Sequence, residues 1–255
     1  MLVLGIAGSH RAGSYNAALL RAAREVAPIG MEIEEFDIRE LPLFDADLEA
    51  AGDPASVAAF KQAIRDADAL VIATPEYNRG VPGVLKNAID WASRPPLASP
   101  LTNKPVSVMG ASTGRGGTAR AQEQLRSALE YSRARVVEQP EVLVPEAYMV
   151  FDAEGRLIDE STREDLVELL AALAHESAAG SRSRTSRANA SRLVELRRGP
   201  RYSALSQWTT QDGAFMEQSG CNRAQAVANA RAAKLPRMRN NRCRQLPAVA
   251  VPPKW

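Results

Sequence analysis

Ser9, Arg11, Ser14 and Asn16 fall inside one short stretch, Gly8-Ser9-His10-Arg11-Ala12-Gly13-Ser14-Tyr15-Asn16, that leads into an apolar periodic segment. Small residues leave backbone N–H groups free to face an anion, and a helix starting there adds about half a positive charge at its N-terminus. Ser9, Ser14 and Asn16 can donate hydrogen bonds, and Arg11 can grip a phosphate through two parallel ones. The same residues also suit a plain turn, with Ser14 capping the helix and Arg11 and His10 in water. No Gly-Lys-Ser/Thr follows, so this is not a Walker loop. Gly5 and Gly8 lack the dinucleotide-fold spacing, although Asp37, at the end of the next predicted strand, could mimic a ribose-binding acid.

Two more stretches have the same character, at residues 74–83 and 110–117. Gly110-Ala111-Ser112-Thr113-Gly114 fits the hydrolase nucleophile elbow, and Ser112, then Asp152 or Asp159, then His175 follows the triad order. Two features oppose an esterase. An elbow serine caps a helix that begins at once, whereas Arg115-Gly116-Gly117 prolongs the loop. His175 falls on the opposite side of its helix from the stripe Leu166, Leu169, Leu170 and Leu173, which places it in water.

Loops of this kind need a frame that brings them together. Leu2–Ala7 and Ala69–Ala73 are continuous apolar runs, as expected of parallel strands buried on both faces. Residues 31–36 alternate and read as the second strand; 106–109 and 142–144 supply the fourth and fifth, the last confined to an edge by Pro140. Helical stripes lie between them: Leu19, Leu20, Ala23, Val26; Val57, Phe60, Ile64, Ala67; Val84, Leu85, Ala88, Ile89; Leu125, Ala128, Leu129; and Leu166, Leu169, Leu170, Leu173. Asp53-Pro54 and Ser161-Thr162 read as helix starts. Five strands interleaved with five helices predict a three-layer α/β sheet, with the three loops at the carboxyl ends of strands one, three and four.

The second stretch continues into Val84-Leu85-Lys86-Asn87-Ala88-Ile89-Asp90-Trp91. Together they resemble the NADPH-dependent FMN reductase family, the flavodoxin-like group that includes quinone, chromate and azo-dye reductases, in its Pro-Glu-Tyr-Asn-x-Gly-x-Pro-Gly-x-Leu-Lys-Asn-Ala-Ile-Asp-Trp motif. The first stretch is similar to that family's Gly-Ser-x-Arg-x-x-Ser-x-Asn, and the third to its Ser-x-Gly-x-x-Gly; the likeness spans about residues 2–176. It implies a flavodoxin-like five-stranded parallel sheet of order 2-1-3-4-5, with FMN as cofactor and NADPH or NADH as co-substrate. Ser9, Arg11, Ser14 and Asn16 would hold the flavin phosphate. Pro75, Glu76, Tyr77 and Asn78 would line the ring and ribityl chain, with Ser112 and Gly114 nearby. Hydride would pass through the flavin to small-molecule acceptors (quinones, azo compounds or metal oxyanions), with no metal and no catalytic side chain. The resemblance also implies a homodimer or homotetramer, for which Leu85, Ile89 and Trp91 are either the seam or ordinary core. A flavodoxin-type electron carrier shares the fold and the flavin; a serine hydrolase using Ser112 does not.

Composition narrows the remaining possibilities. Two cysteines (Cys221, Cys243) and two histidines (His10, His175) are too few for finger-type zinc sites or a disulfide framework. No apolar run approaches the ~18 residues of a membrane span, and the apolar opening is too short for a signal peptide, so a cytoplasmic protein is expected. Charge divides unevenly. Residues 181–255 hold 15 Lys and Arg against 3 Asp and Glu, and only 10 Leu, Ile, Val or Phe. Such a segment buries too little apolar area to offset its ordering entropy. The sequence therefore divides into a domain at 1–178 and a disordered basic tail at 180–255. Its arginines are scattered, and Trp208, Phe215 and Trp255 lie too far apart for a stacking platform, which argues against a nucleic-acid contact. A chain ended at Gly180 should keep the cooperative thermal transition and FMN binding of the full chain. Loss of either in calorimetry or a fluorescence titration would make the tail part of the fold.

Overall fold

Apolar runs become strands of one parallel sheet in the computed structural model, which describes the backbone of residues 1–197 and the side chains of 1–180. They are β1 (Leu2–Ala7), β2 (Glu32–Glu35), β3 (Ala69–Ala73), β4 (Pro105–Ala111), β5 (Arg135–Val136) and β6 (Val142–Val144). The order is β2-β1-β3-β4-β5, as the flavodoxin-like resemblance implies, and every pairing is parallel. The fifth lane differs from expectation. β5 pairs with Pro105 and Val106, and β6 with Met109, Gly110 and Ala111, so two short pieces share one edge of β4. Pro140 lies between them, where it cannot donate to the ladder.

Seven helical segments cover the sheet. These are α1 (Tyr15–Glu25), α2 (Ala46–Ala51), α3 (Ala55–Asp66), α4 (Gly83–Ala92), α5 (Ala119–Tyr131), a single 3-10 turn at Ala147–Met149, and α6 (Glu160–Arg197). Successive strand residues point to opposite faces, which makes two cores. On one, Val3, Ala7, Val71, Ala73 and Met109 pack against α1 and the α6 leucines. On the other, Leu4, Ile6, Leu70, Ile72, Val106 and Val108 meet Val57, Phe60 and Ile64 of α3, Leu85, Ile89 and Trp91 of α4, and Leu125 of α5. Leu85, Ile89 and Trp91 are thus core residues of this chain.

Two helix boundaries depart from the sequence reading. Asp159 caps α6, taking hydrogen bonds from the Thr162 N–H at 2.8 Å and hydroxyl at 2.7 Å, so the helix begins one residue before Ser161. At its other end α6 runs to Arg197 without a break at Ala179-Gly180, the expected domain boundary. Charge and hydropathy set that expectation, but the Ala, Glu, Arg and Leu content of this segment favours a continuing helix. Residues 198–255, with the rest of the expected tail and both cysteines, lie outside the described residues.

The sheet positions the loops through close approaches at its carboxyl edge. Gly8 N–H donates to Ala73 O at 2.8 Å and Thr74 N–H to Met109 O at 2.9 Å, so the ladder continues into the first residues of each loop. Gly110 lies where the ends of β3 and α5 converge: a Cβ there would stand 2.1 Å from Thr118 Oγ1 and 2.3 Å from the Thr74 carbonyl oxygen. The second atom is backbone and cannot rotate away. Gly110→Ala should therefore lower stability by about 1–3 kcal/mol or more, the range for overpacking a filled core. A urea midpoint equal to that of the wild type would contradict the packing described here.

Candidate functional site

Loops after β1, β3 and β4 enclose a cavity of about 370 Å³ at the carboxyl edge of the sheet. That volume falls within the ~300–1,000 Å³ typical of small-molecule sites. The first loop supplies its donors. Ser14 is the N-cap of α1, its Oγ accepting from the Ala17 N–H at 3.3 Å. The N–H groups of Tyr15 and Asn16, in the same turn, have no partner among the described residues. Arg11 is exposed, lies 5.5 Å above the Tyr15 ring and donates through Nη2 to Gly13 O at 2.6 Å. Among the described residues it has no carboxylate partner. Cationic and N–H donors thus converge without an acid to satisfy them.

Asn16 does something else. It is buried, and its amide spans the Ala111 peptide: Nδ2 donates to Ala111 O at 2.8 Å and Oδ1 accepts from Ala111 N–H at 2.9 Å. The side chain expected to hold phosphate therefore ties the first turn of α1 to the end of β4.

The second loop is a tight hairpin. Tyr77 and Gly80 exchange backbone hydrogen bonds at 3.1 and 3.0 Å around Asn78 and Arg79, whose φ angles are +50° and +63°. That is the two-residue geometry in which both central residues are left-handed, a conformation Asn tolerates better than Arg. Pro75 is buried at the base, and the exposed Tyr77 reaches back so that its hydroxyl lies 3.4 Å from Ser9 Oγ. Glu76, like Asn16, is spent on backbone. Its Oε2 accepts from the N–H groups of Arg120 and Ala121 at 3.0 and 3.1 Å, in the first turn of α5, where Thr118 makes no side-chain cap. In the third loop Ser112 Oγ accepts from the Gly114 N–H at 3.1 Å.

Eight of the ten residues singled out from the sequence line this one cavity: Ser9, Arg11, Ser14, Asn16, Pro75, Glu76, Tyr77 and Ser112. Asn78, at the hairpin tip, and Gly114 do not line it. Tyr15, Ala111 and Thr113 complete the lining and were missed; only their adjacency to Ser14 and Ser112 could have suggested them. The hydrolase constellation is not assembled. Asp159 is the α6 cap, its carboxyl held below the usual range by the two Thr162 hydrogen bonds. Asp152 is engaged by Arg156, His175 is exposed, and no helix starts until Ala119, seven residues beyond Ser112.

Comparison with known proteins gives this geometry a context. The family model for NADPH-dependent FMN reductase matches residues 1–149. The chain belongs to that family. An NAD(P)H-dependent FMN reductase from Pseudomonas aeruginosa is 52% identical over 171 residues, covering 67% of this chain and 92% of the relative. A quinone reductase of Escherichia coli K12 is 42% identical over 173 residues, covering 67% of this chain and 92% of its own. Among solved structures, the flavoenzyme NAD(P)H:(acceptor) oxidoreductase FerB from Paracoccus denitrificans has a TM-score of 0.65 at 34% identity, covering 70% of this chain and 98% of that one.

The donor set fits the family's flavin. A phosphate dianion needs several N–H donors and a cation, and the first loop offers Arg11, the Tyr15 and Asn16 N–H groups and Ser9. A flat ring needs close backbone approach and few charges, and Pro75, Ser112 and Thr113 meet that need. In this FMN reductase family member Glu76 lines the cavity while its Oε2 caps α5. Glu76→Ala should lower the urea stability of the flavin-free chain by about 1 kcal/mol, the worth of a helix cap. An unchanged midpoint with weakened FMN binding would instead assign Glu76 to the cofactor.

Proposed function

We propose that the protein is an NAD(P)H-dependent flavin oxidoreductase that passes electrons from a nicotinamide nucleotide to quinones, with azo compounds or metal oxyanions as further acceptors. The observation that carries this reading is the cavity at the carboxyl edge, where an arginine without an acid partner and two free helix N–H groups face the space between three loops. Bound FMN supplies the hydride chemistry, and the protein's task is to bind, orient and exclude. Arg11 and the first turn of α1 bind the phosphate end. Tyr77 and Ser9 meet on one side, and Pro75, Ser112 and Thr113 add to the lining. The carboxylate lining the cavity, Glu76, is committed to α5, so no side chain is positioned as a general base and none is needed. Nucleotide and acceptor use one opening in turn, which gives ping-pong kinetics. A homodimer or homotetramer and a cytoplasmic location belong to the same reading and rest on the family resemblance.

Anaerobic bleaching of the FMN-loaded chain by NADPH or NADH, followed by recolouring with a quinone, tests the proposal. Failure of both nucleotides to bleach the flavin would favour a flavodoxin-type carrier. Arg11 gives a sharper check. Arg11→Ala should weaken FMN binding by roughly 1.5–3 kcal/mol, the range for a charge-assisted hydrogen bond. Turnover at saturating FMN and nucleotide should largely survive. An unchanged FMN affinity in a fluorescence titration would leave Arg11 outside the phosphate site.

A further inference from the structure

Beside the first cavity the carboxyl edge carries a second, of about 410 Å³, over the ends of β1 and β2. Ser9 and Arg11 form a wall common to both. A further cavity, lined by Asp68 and Lys104, opens at the amino ends of β3 and β4, away from the three loops. The second cavity has an apolar back, from half-buried Phe36 and buried Ile38, and a charged rim. Arg39 grips Asp37 on that rim: Nε donates to both carboxylate oxygens at 3.0 and 2.8 Å, and Nη2 to Oδ2 at 2.5 Å. The Arg39 N–H adds a bond to Asp37 Oδ1 at 3.0 Å.

An acid at the end of the second strand of a dinucleotide-binding sheet takes the adenosine ribose 2′-hydroxyl, whereas an arginine nearby accommodates a 2′-phosphate. Here the acid is covered. The Asp37 oxygens are spent on Arg39, while Arg39 Nη1 has no partner among the described residues. His10 lines the same space. Glu35 lines it as well, exposed like Arg39. The unpartnered Nη1 of Arg39 beside an apolar back suits a phosphate monoester on a flat base, whereas a neutral ribose would find Asp37 already taken.

We propose that this second cavity binds the adenosine 2′-phosphate end of NADPH, through Arg39, and so selects NADPH over NADH. The proposal rests on the reductase reading of the first cavity: the two cavities adjoin at Ser9 and Arg11, so a nicotinamide reacting in the first can place the rest of its dinucleotide in the second.

Calorimetric titration of the full chain with 2′-phosphoadenosine 5′-phosphate and with adenosine 5′-phosphate tests the cavity without turnover. The wild type should bind the first at least about tenfold more tightly, the equivalent of one charge-assisted hydrogen bond. Arg39→Ala should abolish that preference and leave adenosine 5′-phosphate binding unchanged, with Arg39→Lys falling between. In turnover, Arg39→Ala should raise the KM for NADPH at least about tenfold while kcat, the KM for NADH and the FMN affinity stay at wild-type values. Equal affinity of the wild type for the two adenosine phosphates, or an undiminished preference in Arg39→Ala, would overturn the proposal. A wild type that oxidises both nucleotides without discriminating them would sink this assignment and spare the reductase reading. One that oxidises neither, yet prefers the 2′-phosphate, would do the reverse.

Discussion

The buried amide of Asn16 holds the two ends of the site at one distance. β4 ends at Ala111, past the last residue of β3, so on that side the Ala111 peptide has no strand to complete its ladder. The Asn16 amide, which has the geometry of a peptide, takes that place with one bond given and one received. Leaving the Ala111 groups buried and unpaired would cost about 1–3 kcal/mol each. The constraint therefore does more than fill a gap: the first turn of α1, with its free N–H groups, cannot shift without breaking both bonds to β4.

Other polar groups around the cavity follow the same logic. Glu76 is spent on α5, Ser14 on α1, Gln124 Oε1 on the Val81 N–H at 2.8 Å, and the Ser9 and Tyr77 hydroxyls face each other. Loops assembled by mutual satisfaction leave few donors over. On the first loop, Arg11 and the first-turn N–H groups of α1 are left over, and all of them are donors that suit an anion.

This division explains what could be read from sequence. Strand and helix positions were legible because β1, β3 and β4 are buried on both faces and the helices keep a 3.6-residue stripe. β5 was not, since Arg135 and Val136 are two half-buried residues with no pattern to see. The helical continuation beyond Gly180 was also missed, because net charge reports on burial and not on local propensity. The three loops were legible by composition, and their residues do meet at one cavity. The tasks of Asn16 and Glu76 were not legible. Their partners lie 95 and 44 residues away, on backbone groups that look alike in every sequence. Side-chain type says that a residue can donate or accept; only the fold says to whom.

Helix α4 shows the same principle at longer range. It begins two residues after the hairpin loop, yet its side chains act on the segment that follows β2. Asn87 Nδ2 and Trp91 Nε1 both donate to Pro42 O, at 2.9 and 2.8 Å, and Asn87 Oδ1 accepts from the Phe44 N–H at 2.7 Å. Beneath them Lys61, 1% exposed, pairs with Asp53 at 2.7 Å and lies 5.6 Å from the Trp91 ring. A buried ammonium deprived of its partner costs about 3–5 kcal/mol, so this pair fixes the far end of the segment that starts at Asp37 and Arg39. One helix thus sets the hairpin beside the first cavity and anchors the chain that walls the second. The Leu-Lys-Asn-Ala-Ile-Asp-Trp part of the family motif is in this chain a positioning device: its leucine, isoleucine and tryptophan fill the core, and its asparagine and indole hold Pro42.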